Sequence, residues 1–140
     1  LCAVRAASEE GIVAGAGMTL HYISNELWNP SVANEGLTFG EQVLYRALKY
    51  PSYRIIQNGN KNPDEILIPI TGKGYPYGWN ARLCSTVNLI ESGVVDPAKV
   101  VKMSLQSAVS IASELLRGGG MITFTKEEKT RKSNAEMFLG

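Results

Sequence analysis

The chain has 140 residues, 44% of them hydrophobic and 19% charged, with 14 glycines and 6 prolines. That is the size of one domain and excludes the collagen-like and low-complexity classes. A net charge of +1 gives no global field toward nucleic acid or a membrane surface, and no stretch approaches the ~20 consecutive apolar residues of a membrane span. Cys2 and Cys84 stand far apart and outside any CxxC spacing, so no disulfide framework is expected and a reduced compartment is the plain reading. His21, the single histidine, leaves no set of ligands for a zinc site of the His/Cys type.

Leu1 to Glu10 is rich in alanine and free of Gly and Pro, which predicts a helix. A helix that opens uncapped at residue 1, with no basic leader ahead of it, reads as a piece of a longer chain. Gly11 stops this helix, and Gly15-Ala16-Gly17 forms a small-residue turn. Leu20, Ile23 and Leu27 then mark one apolar face of a helix over Met18–Trp28, which Asn29-Pro30-Ser31 breaks. A second amphipathic helix is predicted from about Asn34 to Tyr50, with Leu37, Val43, Leu44, Ala47 and Leu48 as its stripe and Pro51 as its end. A short helix over Ser52–Gln57 follows, and Pro63–Ile70 fits neither a helix nor a strand period. Thr71–Trp79 reads as a loop or irregular hairpin.

Asp96-Pro97 places an N-cap before a proline at the first helical position. From there Val101, Leu105, Ala108, Val109, Ala112, Leu115 and Leu116 trace one face for about five turns. Gly118-Gly119-Gly120 ends that helix, Met121–Thr125 alternates as a short strand without a partner, and residues 126–140 form a charged tail. No repeat or linker divides the chain. The expected architecture is all-α with a minor hairpin or strand element.

Few residues are arranged for chemistry. His21 sits among apolar neighbours, Cys84 has only Arg82 nearby, and the adjacent pair Glu9-Glu10 belongs to a solvated helix face. The turn at Gly15, Ala16 and Gly17 fits two readings. Small residues allow close helix packing, and they also allow a phosphate to approach the N–H groups of a helix start; GK[ST] is absent and no strand–GxGxxG pattern is evident. Asn80 could hydrogen-bond a base edge, Asp96 could accept from ribose hydroxyls, and Ala81 and Val94 could flank a flat ring. The same two polar residues serve equally as a turn residue and a helix cap.

The order of these segments carries a resemblance. Arg5–Gly17 (RAASEEGIVAGAG) resembles the RAAVEEGIVxGGG segment of group I chaperonins, the GroEL family, and Tyr77–Ala81 resembles that family's YGYNA. Glu91–Val100 looks like its MGIIDPTKV run, and Leu105–Ala112 is similar to LQNAASVA. The likeness covers roughly Leu1 to Met121.

The resemblance implies the C-terminal part of a chaperonin equatorial domain: a helical, ATP-binding domain that packs subunits into rings. It implies that Gly15, Ala16 and Gly17 face the nucleotide, that Asn80, Ala81 and Val94 meet the base with Arg82 close by, and that Asp96 holds the ribose. It also implies Mg2+ in the whole protein, a catalytic aspartate just before Leu1 and a DGTTT phosphate loop in an N-terminal half, neither of them within these 140 residues. Other subunits, unfolded client proteins and a co-chaperonin lid would be the partners, the latter two through domains outside the chain. Ala16 in place of a glycine, Arg82 in place of a small residue, Trp79 in place of tyrosine and the charged tail mark a divergent member. An organelle matrix, mitochondrial or plastid, is the expected setting, with a bacterial cytoplasm as the alternative. The competing function is a helical oligomerisation module that keeps the scaffold and has lost ATP use. A chain of this kind, expressed alone, is expected to expose Leu105, Ala112 and Leu116 and to self-associate.

Overall fold

The computed structural model describes residues 2–27 and 38–118. Among them the chain forms five helices and two antiparallel pairs of short strands, so the helical class with a minor β element holds. The chain divides into two compact units, Leu1–Gln106 and Ser107–Gly140. The second contributes, among the described residues, only the C-terminal part of the last helix. The expected start of the second helix at Asn34, the strand at Met121–Thr125 and the charged tail lie outside the described residues.

In the first unit, α1 (Cys2–Glu10) ends where Gly11 enters the left-handed region, with φ +80°. The apolar pair that follows becomes β1 (Ile12–Ala14), a strand too short to show a period in sequence. It pairs with β4 (Val95–Pro97) in the register Ile12↔Pro97, Val13↔Asp96, Ala14↔Val95. The second pair is the hairpin of β2 (Tyr77–Asn80) and β3 (Ser85–Asn88). Ala14, Met18, Ile56, Ile70, Trp79 and Leu89 meet in one buried cluster, so both strand pairs and three helices share a core.

Three helices differ from the expected ones. In α2 (Met18–Leu27) the buried face is Met18, His21 and Ser24, whereas Ile23 and Leu27 are 42% and 53% exposed. The expected apolar face is thus only half-buried at Leu20 and open at Ile23 and Leu27, while Gly17 brings α2 against Pro51 and Ser52 of α3. Helix α3 (Phe39–Asn58) runs straight through Pro51, which was expected to end it. Leu48, Ser52 and Ile56 are all buried at a spacing of four, so one packed face continues across the proline. Burial there offsets the ~3 kcal/mol that an internal proline costs. Thr38 and Glu41 cap this helix reciprocally: the Thr38 N–H donates to Glu41 Oε2 at 2.8 Å and the Thr38 hydroxyl accepts from the Glu41 N–H. The ambiguous Pro63–Ile70 segment is helix α4 (Pro63–Lys73), started by Asn62, which accepts from the Asp64 N–H at 3.1 Å.

The last helix, α5 (Ala98–Arg117), begins one residue later than expected, because Asp96 and Pro97 belong to β4. No residue of α5 is buried. Ion pairs join its first turns to α1, Lys99 with Glu9, and Lys102 with Glu10 at 2.6 Å. Glu9 and Glu10 therefore act as surface anchors.

Candidate functional site

The turn between β1 and α2 is held from both sides. The Gly15 N–H donates to the Val94 carbonyl at 2.9 Å, and a Cβ at Gly15 would lie 3.1 Å from that oxygen. Gly17, at φ +70°, lets α2 approach α3 so closely that a Cβ would fall 2.7 Å from the Ser52 nitrogen. Both glycines therefore serve packing. Ala16 sits between them at φ +54°, a left-handed conformation that costs an L-residue roughly 1–2 kcal/mol. Among the described residues the N–H groups of Ala16 and Gly17 make no hydrogen bond. They open the ten-residue helix α2, whose N-terminus carries partial positive charge.

Across the ladder, Asp96 stands opposite Val13 and Val95 opposite Ala14. Among the described residues the Asp96 carboxylate makes no hydrogen bond or ion pair, so the cap expected of it is not formed. The structure thus brings Gly15, Ala16, Gly17, Val94 and Asp96 to one seam, with Ala16 and Val94 packed against the common core.

The hairpin contributes differently. Asn80 is 9% exposed, and its side-chain oxygen accepts from the Arg82 and Leu83 N–H groups at 3.0 and 3.1 Å. The oxygen is committed to the turn, which leaves the NH2 group for any ligand. Ala81 and Arg82 are exposed in that turn, and no hydrogen bond joins them to the seam among the described residues. Trp79, their neighbour, is the residue that anchors the hairpin in the core.

Two features went unread in the sequence. His21 is buried between α3 and α4, with Ser52 Oγ 3.5 Å from Nδ1 and Thr71 Oγ1 3.3 Å from Nε2. Those hydroxyls donate to the Lys49 and Leu67 carbonyls, so Ser52 is no activated nucleophile. Burial first, then the Lys49 charge, lowers the His21 pKa to about 4 and keeps the ring neutral. The second feature is an open groove of about 570 Å³ between α2 and the end of α4, lined by Tyr22, Ile23, Leu27, Thr71 and Tyr75. It includes none of the expected site residues. Only tertiary packing joins its walls, which lie some fifty residues apart in the chain.

Among the described residues no three of His, Cys, Asp and Glu converge on a metal-sized site, and no helix is long and apolar enough to cross a membrane. Residues 1–124 match the family described as "TCP-1/cpn60 chaperonin family". The fold is similar to that of a group III chaperonin solved in the open state, with TM-score 0.71 and 28% identity over 84% of this chain. It is also similar to the open-state monomer of a group II chaperonin from Methanococcoides burtonii, with TM-score 0.65 and 21% identity over 76% of the chain. The matched regions are 25% and 28% of those two chains.

Proposed function

The chain belongs to the TCP-1/cpn60 chaperonin family, and from that premise we propose that it forms one wall of the ATP site in the equatorial domain of a chaperonin subunit. The motif wording of Arg5–Gly17 and Glu91–Val100 favours the group I branch. The observation that carries the nucleotide reading is the seam: two unpaired N–H groups at the start of α2 beside the Asp96 strand. Those donors suit a phosphate oxygen, and a carboxylate without a partner suits ribose hydroxyls. Val94 and Ala81 would border the base, Asn80 would offer its NH2 group, and Arg82 would stand near them. The described residues offer Mg2+ no carboxylate set, so no step is assigned to the metal.

In this reading the whole subunit couples ATP binding and hydrolysis to the enclosure of unfolded proteins. It works in a homo-oligomeric ring, in an organelle matrix. Measured on the full-length protein with a fluorescent ATP analogue, Asp96→Asn should weaken binding about tenfold, the worth of one charge-assisted hydrogen bond. Unchanged affinity would sink the ribose role.

A second reading, an oligomerisation module without ATP use, is favoured by two observations. The Ala16 methyl occupies a left-handed turn, and the Asn80 oxygen is committed to backbone. The double reversion Ala16→Gly with Arg82→Ala separates the two readings. Nucleotide affinity stays nearly constant if the site works as it stands, and rises sharply if those residues had closed it.

A further inference from the structure

We infer that the outward face of α3 is a docking surface for an acidic, amphipathic helix of a separate protein. Helix α3 buries Leu48, Ser52 and Ile56. On its other side Phe39, Val43 and Tyr50 are 83%, 53% and 61% exposed, and Arg46 and Arg54 lie exposed among them. At 3.6 residues per turn these five positions fall on one face about 22 Å long, opposite the core. Single exposed apolar residues are ordinary on a protein surface, but three in line on the solvent side of one helix mark a contact face.

Charge decides what fits it. From Gln42 to Pro63 the chain carries Arg46, Lys49, Arg54 and Lys61 and no Asp or Glu. The acids at either end of that stretch are engaged: Glu41 accepts from the Thr38 N–H and hydroxyl, and Asp64 accepts from the Tyr53 hydroxyl. Among the described residues Arg46 makes no hydrogen bond or ion pair. The Arg54 guanidinium stands 5.8 Å from the centre of the Tyr50 ring and reaches only Gln57 Oε1, at 3.5 Å. It therefore lies along the face with donors to spare.

Tyrosine and arginine side by side are the residue types that anchor contacts between separate proteins, whereas a permanently buried interface is more apolar. Spacing defines the partner. Arg46 and Arg54 are eight residues apart, about 12 Å along the axis. A helix with carboxylates at i and i+8 and an apolar side chain at i+4 meets both guanidinium groups and the Tyr50 ring together. Phe39 and Val43 extend the line with apolar surface that a phosphate backbone would leave uncovered.

The probe is a synthetic helical peptide of Ala and Leu with Glu at i and i+8, beside a control peptide with Gln at both places. Photocrosslinking from p-benzoylphenylalanine at position 47, where exposed Ala47 borders the face, reads occupancy there in the full-length protein. The Glu peptide should crosslink about tenfold more than the Gln peptide, and Arg46→Gln with Arg54→Gln should remove the difference. Equal yields from the two peptides overturn the proposal, as does a difference that survives the double substitution. So do crosslinks confined to the subunit itself or to a second copy, and so does protection of position 47 by oligouridylate at a lower concentration than by unlabelled Glu peptide. If the double variant does not fold, a KCl titration of the otherwise unchanged protein replaces it. The excess for the Glu peptide should then vanish as salt rises, and a salt-independent excess overturns the proposal. Nucleotide affinity does not enter these readouts, so failure here leaves the seam reading intact.

Discussion

Helices α2 and α5 invert the relation between sequence pattern and burial. Helix α5 carries the more regular apolar face, yet no residue of it is buried and Leu116 is 87% exposed. Helix α2 buries Met18 together with the polar His21 and Ser24, while Ile23 and Leu27 stay outside. Periodicity tells which face of a helix is apolar. What covers that face depends on which surfaces the fold brings to it, and for α2 these are the apolar cluster around Met18 and the Ser52 and Thr71 hydroxyls around His21.

The contrast can be broken at several points. The largest effect is expected at Gly17, where a side chain would meet the Ser52 nitrogen at 2.7 Å in a left-handed conformation. Gly17→Ala should cost about 3 kcal/mol of stability, from the backbone penalty and the forced separation of α2 from α3. Denaturant unfolding reads this directly, and a loss below 1 kcal/mol would mean that the turn is not pinned.

The buried histidine comes next. In the unfolded chain His21 titrates near 6.5, and in the folded chain near 4. Between those values the unfolded state binds a proton that the folded state refuses. Stability is therefore complete above pH 6.5 and falls as the pH drops toward 4. After allowance for solvent screening the loss is about 2 kcal/mol. Replacing the ring by His21→Gln should flatten that part of the stability–pH curve, whereas a slope unchanged by the substitution would assign it to other groups.

The smallest effect belongs to α5. In the 140-residue chain, at concentrations low enough to keep it monomeric, Leu116→Ala should change stability by less than about 0.5 kcal/mol, as for an exposed side chain. A loss comparable to that at Gly17 would contradict the exposure of Leu116.

The two candidate-site regions differ in the same way. The turn and Asp96 were legible as separate motifs, because small residues and an Asp-Pro step leave a local mark. That they form one seam follows from the β1–β4 register, a pairing across some eighty residues between strands of only three residues each. The turn role of Asn80 was legible too, and its side-chain oxygen accepts from the Arg82 and Leu83 N–H groups. Pro51 misled because proline is a local rule, and the buried Leu48–Ser52–Ile56 face that overrides it is not local.

By itself, then, the sequence determined the helical class, the end of α1 at Gly11, the turn at residues 15–17 and the family likeness. Each of these rests on neighbours within a few residues, where backbone preference and hydrogen-bond geometry act directly. Tertiary structure alone decided which face of α2 is inside, that α3 survives its proline and that His21 stays neutral. Those outcomes depend on contacts between distant segments, where burial and desolvation outweigh the ~1 kcal/mol preferences that a local pattern can express.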